Sequence, residues 1–257
     1  MPSRPLLSAV LLALLLSPAM RGQCRSVPLA ETVNAGRIVA DSSVSGLVQL
    51  GQQTNICFGI EVADLGLLSN PVSIDTEDSA LGSVIRGMLP HDGNNDKLYD
   101  VTVENAVVVV RPVRPHVTES QLDTVVPQFK IGSITVPEAS LALFFALKRL
   151  NNPSIQGFAG DYSNRFPQDK VLPIDEQNRT AREILTKIVG NSHGGAWVAG
   201  PCSMAELKTS GQTCWTVLEY RNDADVLSGD VGYMVRELRQ RLARPKKPSG
   251  NREGAHP

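Results

Sequence analysis

Side chains able to bind metals, attack substrates or carry protons are thinly scattered along this chain. The four histidines, His91, His116, His193 and His256, stand far apart, and none shares metal-ligand spacing with a second donor. His193 falls in "NSHGG", a loop composition. "HDGNND" places Asp92, Asn94 and Asp96 at alternate positions, as a calcium loop does, but that loop needs glycine at its sixth position and a carboxylate at its twelfth. Lys97 and Val103 stand there, so the stretch reads as a polar turn between helix and strand. No glycine-rich phosphate loop or His-Glu-x-x-His pattern occurs, and no Gly-x-Ser-x-Gly stretch stands at the strand-to-helix turn that makes a nucleophile elbow. Asp75 and Asp175 occupy matching settings, each after a strand candidate and before a helix, where negative charge favours the helix N-terminus. A structural role accounts for them. The expectation is a chain with no catalytic, cofactor-binding or metal-binding residues, no cofactor and no enzymatic activity.

The cysteines carry more information. Cys202 and Cys214 each adjoin an apolar segment, "GGAWVAG" and "WTVLEY", which read as the two strands of a hairpin. A disulfide between them would clamp the long connecting loop and contribute roughly 3 kcal/mol. A zinc site is the competing reading, disfavoured because no histidine lies near this pair. Cys24 with Cys57 follows by elimination. Disulfides are the default in an oxidising compartment, and the N-terminus points to one. Arg4 precedes "LLSAVLLALLL", Leu6 to Leu16, an apolar run shorter than the roughly 20 residues that span a bilayer. "SPA" at Ser17 to Ala19 suits signal-peptide cleavage after Ala19, with Gly22 the other site. Arg21, Gly22 and Gln23 do not form the aliphatic and small-residue context that lipid attachment at Cys24 requires. "LALFFAL" is the longest later apolar run and ends at Lys148 and Arg149. A periplasmic or secreted protein with no transmembrane segment in the mature chain is therefore expected. The 26 acidic and 25 basic residues nearly cancel, which argues against a nucleic-acid partner.

These residues are positioned by elements written twice. "VSIDTEDSALGSVIRGML" from Val72 and "VLPIDEQNRTAREILTKIV" from Val171 align without a gap when Asp75 is set against Asp175. Asp78 then faces Asn178, both favoured helix N-caps. Leu81, Val84, Ile85 and Met88 face Ala181, Ile184, Leu185 and Ile188, the stripe of an amphipathic helix. Asn178-Arg179-Thr180 also matches a glycosylation acceptor, but the same asparagine is wanted as a cap. Gly82 and Gly87 interrupt the first helix at about 1 kcal/mol each relative to alanine; either another backbone approaches them closely or the helix is weak. "LYDVTVENAVVVV" predicts a hairpin turning at Glu104 and Asn105, matched by "AWVAG" and "CWTVLEY". Upstream, "DSSVSGLVQLGQQTNICFGIEV" and "SITVPEASLALFFALKRLNNPSIQGFAG" each predict a helix and a strand, with Pro137 at a first helical position and the second strand near Ile155. "GRIVA" and "FKIGSITV" supply a strand in front of each.

The fold class expected is α+β: two tandem β-α-β-β-α-β modules, each a small mixed sheet with two helices on one face, plus a C-terminal helix. The boundaries read as signal peptide 1–19, module 32–112, a linker 113–127 stiffened by Pro115 and Pro127, module 128–222, helix 225–244 and a disordered tail 245–257.

The first module resembles the secretin and TonB short N-terminal domain, through "SGLVQLGQQTNICFGIEV", "VSIDTEDSALGSVIRGML" and "AVVVVRP". The second resembles it more distantly, through "LALFFALKRLNNPSIQGF", "VLPIDEQNRTAREILTKIV" and "CWTVLEY". In that family the module precedes a membrane β-barrel, and the residues after Tyr220 do not have the strand pattern of a barrel. The resemblance implies a non-enzymatic periplasmic protein that contacts an envelope or outer-membrane protein in a secretion or transport assembly, and it transfers no individual binding residue. The alternative is a small-ligand or signal-sensing module with a pocket near Trp197 and Trp215.

Overall fold

The computed structural model describes residues 24–62, 66–91, 98–113, 121–151, 171, 173–192, 194–201, 213–220, 235–236 and 239. The expected signal peptide, most of the expected C-terminal helix, the tail, the strand near Ile155 and His193 lie outside them.

The first half begins with β1 (Thr32–Val33), β2 (Arg37–Ala40), α1 (Ser43–Thr54), β3 (Cys57–Glu61) and the short α2 (Gly66–Ser69). It continues with β4 (Val72–Asp75), β5 (Ser79–Ala80), α3 (Leu81–Met88), β6 (Tyr99–Glu104) and β7 (Val107–Pro112). After a short 3-10 turn at Gln121–Asp123, the second half runs β8 (Val125–Ile131), α4 (Val136–Asn151), β9 (Ile174–Thr180), α5 (Ala181–Gly190), β10 (Gly195–Pro201) and β11 (Thr213–Glu219). Strand β8 starts inside the stretch expected to be linker. Pro127 is tolerated there because the β8–β9 ribbon has only two strands and the register skips this residue.

The class is α+β, but the halves do not close separate sheets. One five-stranded sheet of order β11-β10-β3-β7-β6 runs through the molecule. Strand β10 lies parallel to β3, with Trp197 opposite Gly59, and β3 lies parallel to β7. Alternation along these strands sends side chains to two cores. Phe58, Ile60, Val108, Val110, Ala196 and Val198 join Leu47, Leu50, Leu81 and Ile85 of α1 and α3. Cys57, Val107, Val109, Trp197, Ala199, Trp215 and Val217 join Leu143, Leu147, Ile184 and Leu185 of α4 and α5. The helices therefore cover both faces, in place of the single face expected for each module. This explains the unbroken "AVVVV": a strand buried on both sides has no solvent-facing register to fill with polar residues. Two-stranded ribbons, β2–β4 and β8–β9, pack outside the helices.

The gapless alignment marks real geometric equivalences, with one change of role. Asp78, in the turn between β4 and β5, and Asn178, inside β9, are both in the left-handed region, at φ 53° and 52°, and neither is the N-cap of the helix that follows. The caps are Ala80 and Thr180. Positive φ favours Asp and Asn because a short polar side chain can bond its own backbone there, whereas a cap favours them as acceptors of a backbone N–H, so the expected caps at Asp78 and Asn178 are corrected to the residues two positions later. Thr180 and Glu183 form a reciprocal capping box, with Glu183 N–H donating to Thr180 Oγ1 at 3.2 Å and Thr180 N–H to Glu183 Oε2 at 2.8 Å. Ala80 has no such side chain. Its helix is capped instead by the N-terminal segment: Leu81 and Gly82 donate their N–H groups to the carbonyls of Glu31 and Leu29, at 2.8 and 2.7 Å. Close approach of another backbone thus explains Gly82, whereas Gly87 meets only the movable tip of a side chain. A Cβ on Gly82 would sit 3.1 Å from Leu29 O, and one on Gly87 would sit 2.7 Å from Ile74 Cδ1.

Asp75 and Asp175 likewise serve the turns and ribbons, not the helix termini. Asp75 accepts from Glu77 N–H at 3.0 Å, and Asp175 pairs with Lys130 at 2.6 Å, raising the lysine's pKa through that hydrogen bond. Beyond the second half, Val235 is buried in the first core, and Arg239 donates to the carbonyls of Leu68 and Asp41.

Candidate interaction surface

The β6–β7 hairpin ends the central sheet, and β6 is its outermost described strand. Its two-residue loop is Asn105–Ala106, one position later than expected, with φ of 49° and 63°. Positive φ at both central residues is the type I′ turn whose twist matches the strands. That turn closes on a hydrogen-bonded Glu104–Val107 pair, and alternation then bonds Thr102 to Val109 and Asp100 to Arg111. The bond from Val113 N–H to Leu98 O, 3.0 Å, keeps the same parity. By that parity the backbone N–H and C=O groups of Val101 and Val103 point away from β7, along the outer edge. On the two faces of the strand, Val101 packs on the first core and Val103 is 39% exposed, while Asp100, Thr102 and Glu104 take the other side. Thr102 Oγ1 donates to Glu104 Oε1 at 3.0 Å. Leu98 and Val113, exposed at 36% and 43%, extend the apolar character to the strand's start.

The second feature with consequences is the joint between the halves. Arg182 of α5 donates to Glu61 of β3 and to Asp123 of the 3-10 turn. Arg182 and Glu61 side chains are each 12% exposed. Burial opposes the guanidinium's charge, but hydrogen bonds to Glu61 and Asp123 outweigh it, and its pKa is raised. Removing either partner of so buried a pair typically costs about 3 kcal/mol or more. No local sequence signal announces this clamp, since its ends are 121 residues apart. On the outer face of α5, Lys187 hydrogen-bonds Glu176 and holds that carboxyl below its ordinary range. Glu183 is held down first by Thr180's backbone N–H.

Of the cysteines, Cys24 and Cys57 are joined, with Cα atoms 5.4 Å apart. This was the pairing reached only by elimination. The bond is buried and ties the N-terminal segment to the central strand β3. The hairpin expected to carry Cys202 and Cys214 is present, with Pro201 opposite Thr213, but Cys202 lies outside the described residues, as do Asp92, Asn94 and Asp96. Trp197 and Trp215 are 0% and 4% exposed, and their indole N–H groups donate to Thr186 and Ser140 at 3.3 and 3.0 Å. They fill the second core instead of lining a ligand site. Among the described residues, no group of three or more His, Cys, Asp or Glu is gathered to hold a metal, and no helix is long and apolar enough to cross a membrane.

Comparison with protein-family models, curated proteins and solved structures finds no match to this chain.

Proposed function

We propose that this chain is an exported, non-enzymatic binding protein of a bacterial cell envelope, made of two copies of a module like the secretin and TonB short N-terminal domain. Its work is contact with another protein in a secretion or transport assembly. The observation that carries this reading is the way the halves are joined: β10 of the second adds to the edge of β3 of the first, through Ala196 to Ala199. Edge addition needs only backbone groups and a twist-compatible strand, and it is a recurrent mode of protein recognition. The same fold leaves the β6 edge open among its described residues.

Two further observations support the reading. The left-handed residues Asp78 and Asn178, and the basic residues Arg37 and Lys130 facing Asp75 and Asp175, fit two copies of one module. A buried disulfide at Cys24 and Cys57 fits an oxidising compartment. The test is cross-linking in intact cells followed by affinity capture of the tagged, full-length chain. Enrichment of a defined envelope protein over a signal-peptide-deleted control is expected; recovery of background proteins alone removes the basis of the reading.

A further inference from the structure

We propose that the outer edge of β6 takes up an extended segment of a partner protein in which basic and apolar side chains alternate, added as a strand parallel to β6. This rests on the protein-contact reading above and names the chemistry of the partner.

The backbone part of the argument comes from the hairpin. With Glu104, Thr102 and Asp100 committed to β7, the N–H and C=O groups of Val101 and Val103 face outward, and an added strand satisfies them. Direction comes from the joint between the halves. Strands β6 and β10 hold corresponding places, each the first strand of the hairpin that follows the last described helix before it, α3 or α5. The outer edge of β10 receives β3 in parallel, so the twist and pleat of this type of strand accept a parallel neighbour.

Side-chain chemistry selects the occupant. Asp100 and Glu104 lie on one side of the strand with Thr102 between them, and neither forms an ion pair with a described residue. At about 3.3 Å per residue the two carboxylates are about 13 Å apart. A parallel strand has the same repeat, so lysines or arginines at every second position fall beside Asp100, Thr102 and Glu104. The positions between them fall beside Val101 and Val103, where apolar side chains extend the cover over the first core. A second copy of this chain is a poor occupant. Antiparallel self-pairing centred on Thr102, the register that uses the whole strand, sets Asp100 against Glu104 of the neighbour, and like charges directly opposite are destabilising.

The probes are fluorescein-labelled heptapeptides of alternating lysine and valine, of alternating glutamate and valine, and of alternating lysine and valine with the lysine backbone nitrogens N-methylated, titrated against the oxidised full chain by fluorescence anisotropy. Saturable binding of the lysine–valine peptide is expected, at least tenfold tighter than the glutamate–valine peptide. In a parallel pair the bonds to Val101 and Val103 come from the residues beside Asp100, Thr102 and Glu104, so the N-methylated peptide keeps the charge but lacks the pairing N–H groups, and is expected not to bind. Val103→Pro removes an outward N–H without touching a bond to β7, and should weaken lysine–valine binding at least tenfold. Asp100→Lys with Glu104→Lys should reverse the preference between the two valine peptides. Equal binding of the lysine–valine and glutamate–valine peptides, or of the lysine–valine peptide and its N-methylated form, overturns the proposal. An envelope partner captured equally by the wild type and Val103→Pro also overturns it, and leaves the protein-contact reading standing. A lysine–valine preference that persists while cross-linking captures no partner supports the edge chemistry and sinks the broader reading alone.

Discussion

Gly59→Ala tests the joint between the halves at its tightest point. Gly59 lies in β3 opposite Trp197 of β10, and a Cβ built on it would sit 2.5 Å from Cζ2 and 2.6 Å from Nε1 of the indole. Ordinary contact begins near 3.4 Å, so the ring must retreat by about 1 Å. It has little room, being fully buried against α5 with its N–H on Thr186 at 3.3 Å. Overpacking a filled core costs about 1–3 kcal/mol, and weakening that buried hydrogen bond adds about 1 kcal/mol. Alanine recovers about 0.5–1 kcal/mol through its better strand propensity and lower chain entropy. The net expectation is a loss of about 2 kcal/mol, or a urea midpoint lower by about 1 M for a slope near 2 kcal/mol/M. Urea denaturation followed by far-ultraviolet circular dichroism measures it. Trp197→Phe in the Gly59→Ala background should recover about 1 kcal/mol relative to additivity, because the two sites touch. A Gly59→Ala protein as stable as the wild type, or more stable, would refute the close approach of β10 to β3 and with it the shared sheet.

Three other outcomes follow from particular contacts. The Tyr220 hydroxyl is buried without a hydrogen-bond partner among the described residues, and burial raises its pKa; Tyr220→Phe should stabilise by about 1 kcal/mol in urea melts, and a clear destabilisation would mean that the hydroxyl is bonded. Replacing Cys24 and Cys57 by serine opens a crosslink of sequence separation 33 and should cost about 4 kcal/mol. The same change should speed hydrogen exchange at the amides of Leu81 and Gly82, whose acceptors lie on the released segment. Glu183 has a depressed pKa, so the stability it contributes is complete above its ordinary value of 4.5 and is lost as pH falls through the lower folded value. Between about pH 5 and pH 3 the wild type should therefore lose stability more steeply than Glu183→Gln. Parallel slopes for the two proteins would remove the capping box as a source of acid sensitivity.

What the sequence determined by itself was local. The stripes Leu81, Val84, Ile85, Met88 and Ala181, Ile184, Leu185, Ile188 are buried on α3 and α5, because a helix repeats every 3.6 residues whatever it packs against. The β6–β7 hairpin was legible for a similar reason, since turn and strand residues meet within a few positions of one another, and β10–β11 through two apolar runs on either side of a longer connection. Asp78 and Asn178 stood out in the sequence as residues of special backbone geometry, but both have left-handed φ and the caps are Ala80 and Thr180, because a short polar side chain suits either position.

Tertiary structure decided how the halves meet. Nothing near Cys57 names Cys24, nothing near Glu61 names Arg182, and nothing in "AWVAG" says that it will lie beside "CFGIE". Strand addition is made by main-chain N–H and C=O groups that every residue but proline carries in full, so residue types do not encode which edge joins which. The choice falls to the space left after both helix layers have covered their faces, where Gly59 leaves a hollow that Trp197 fills.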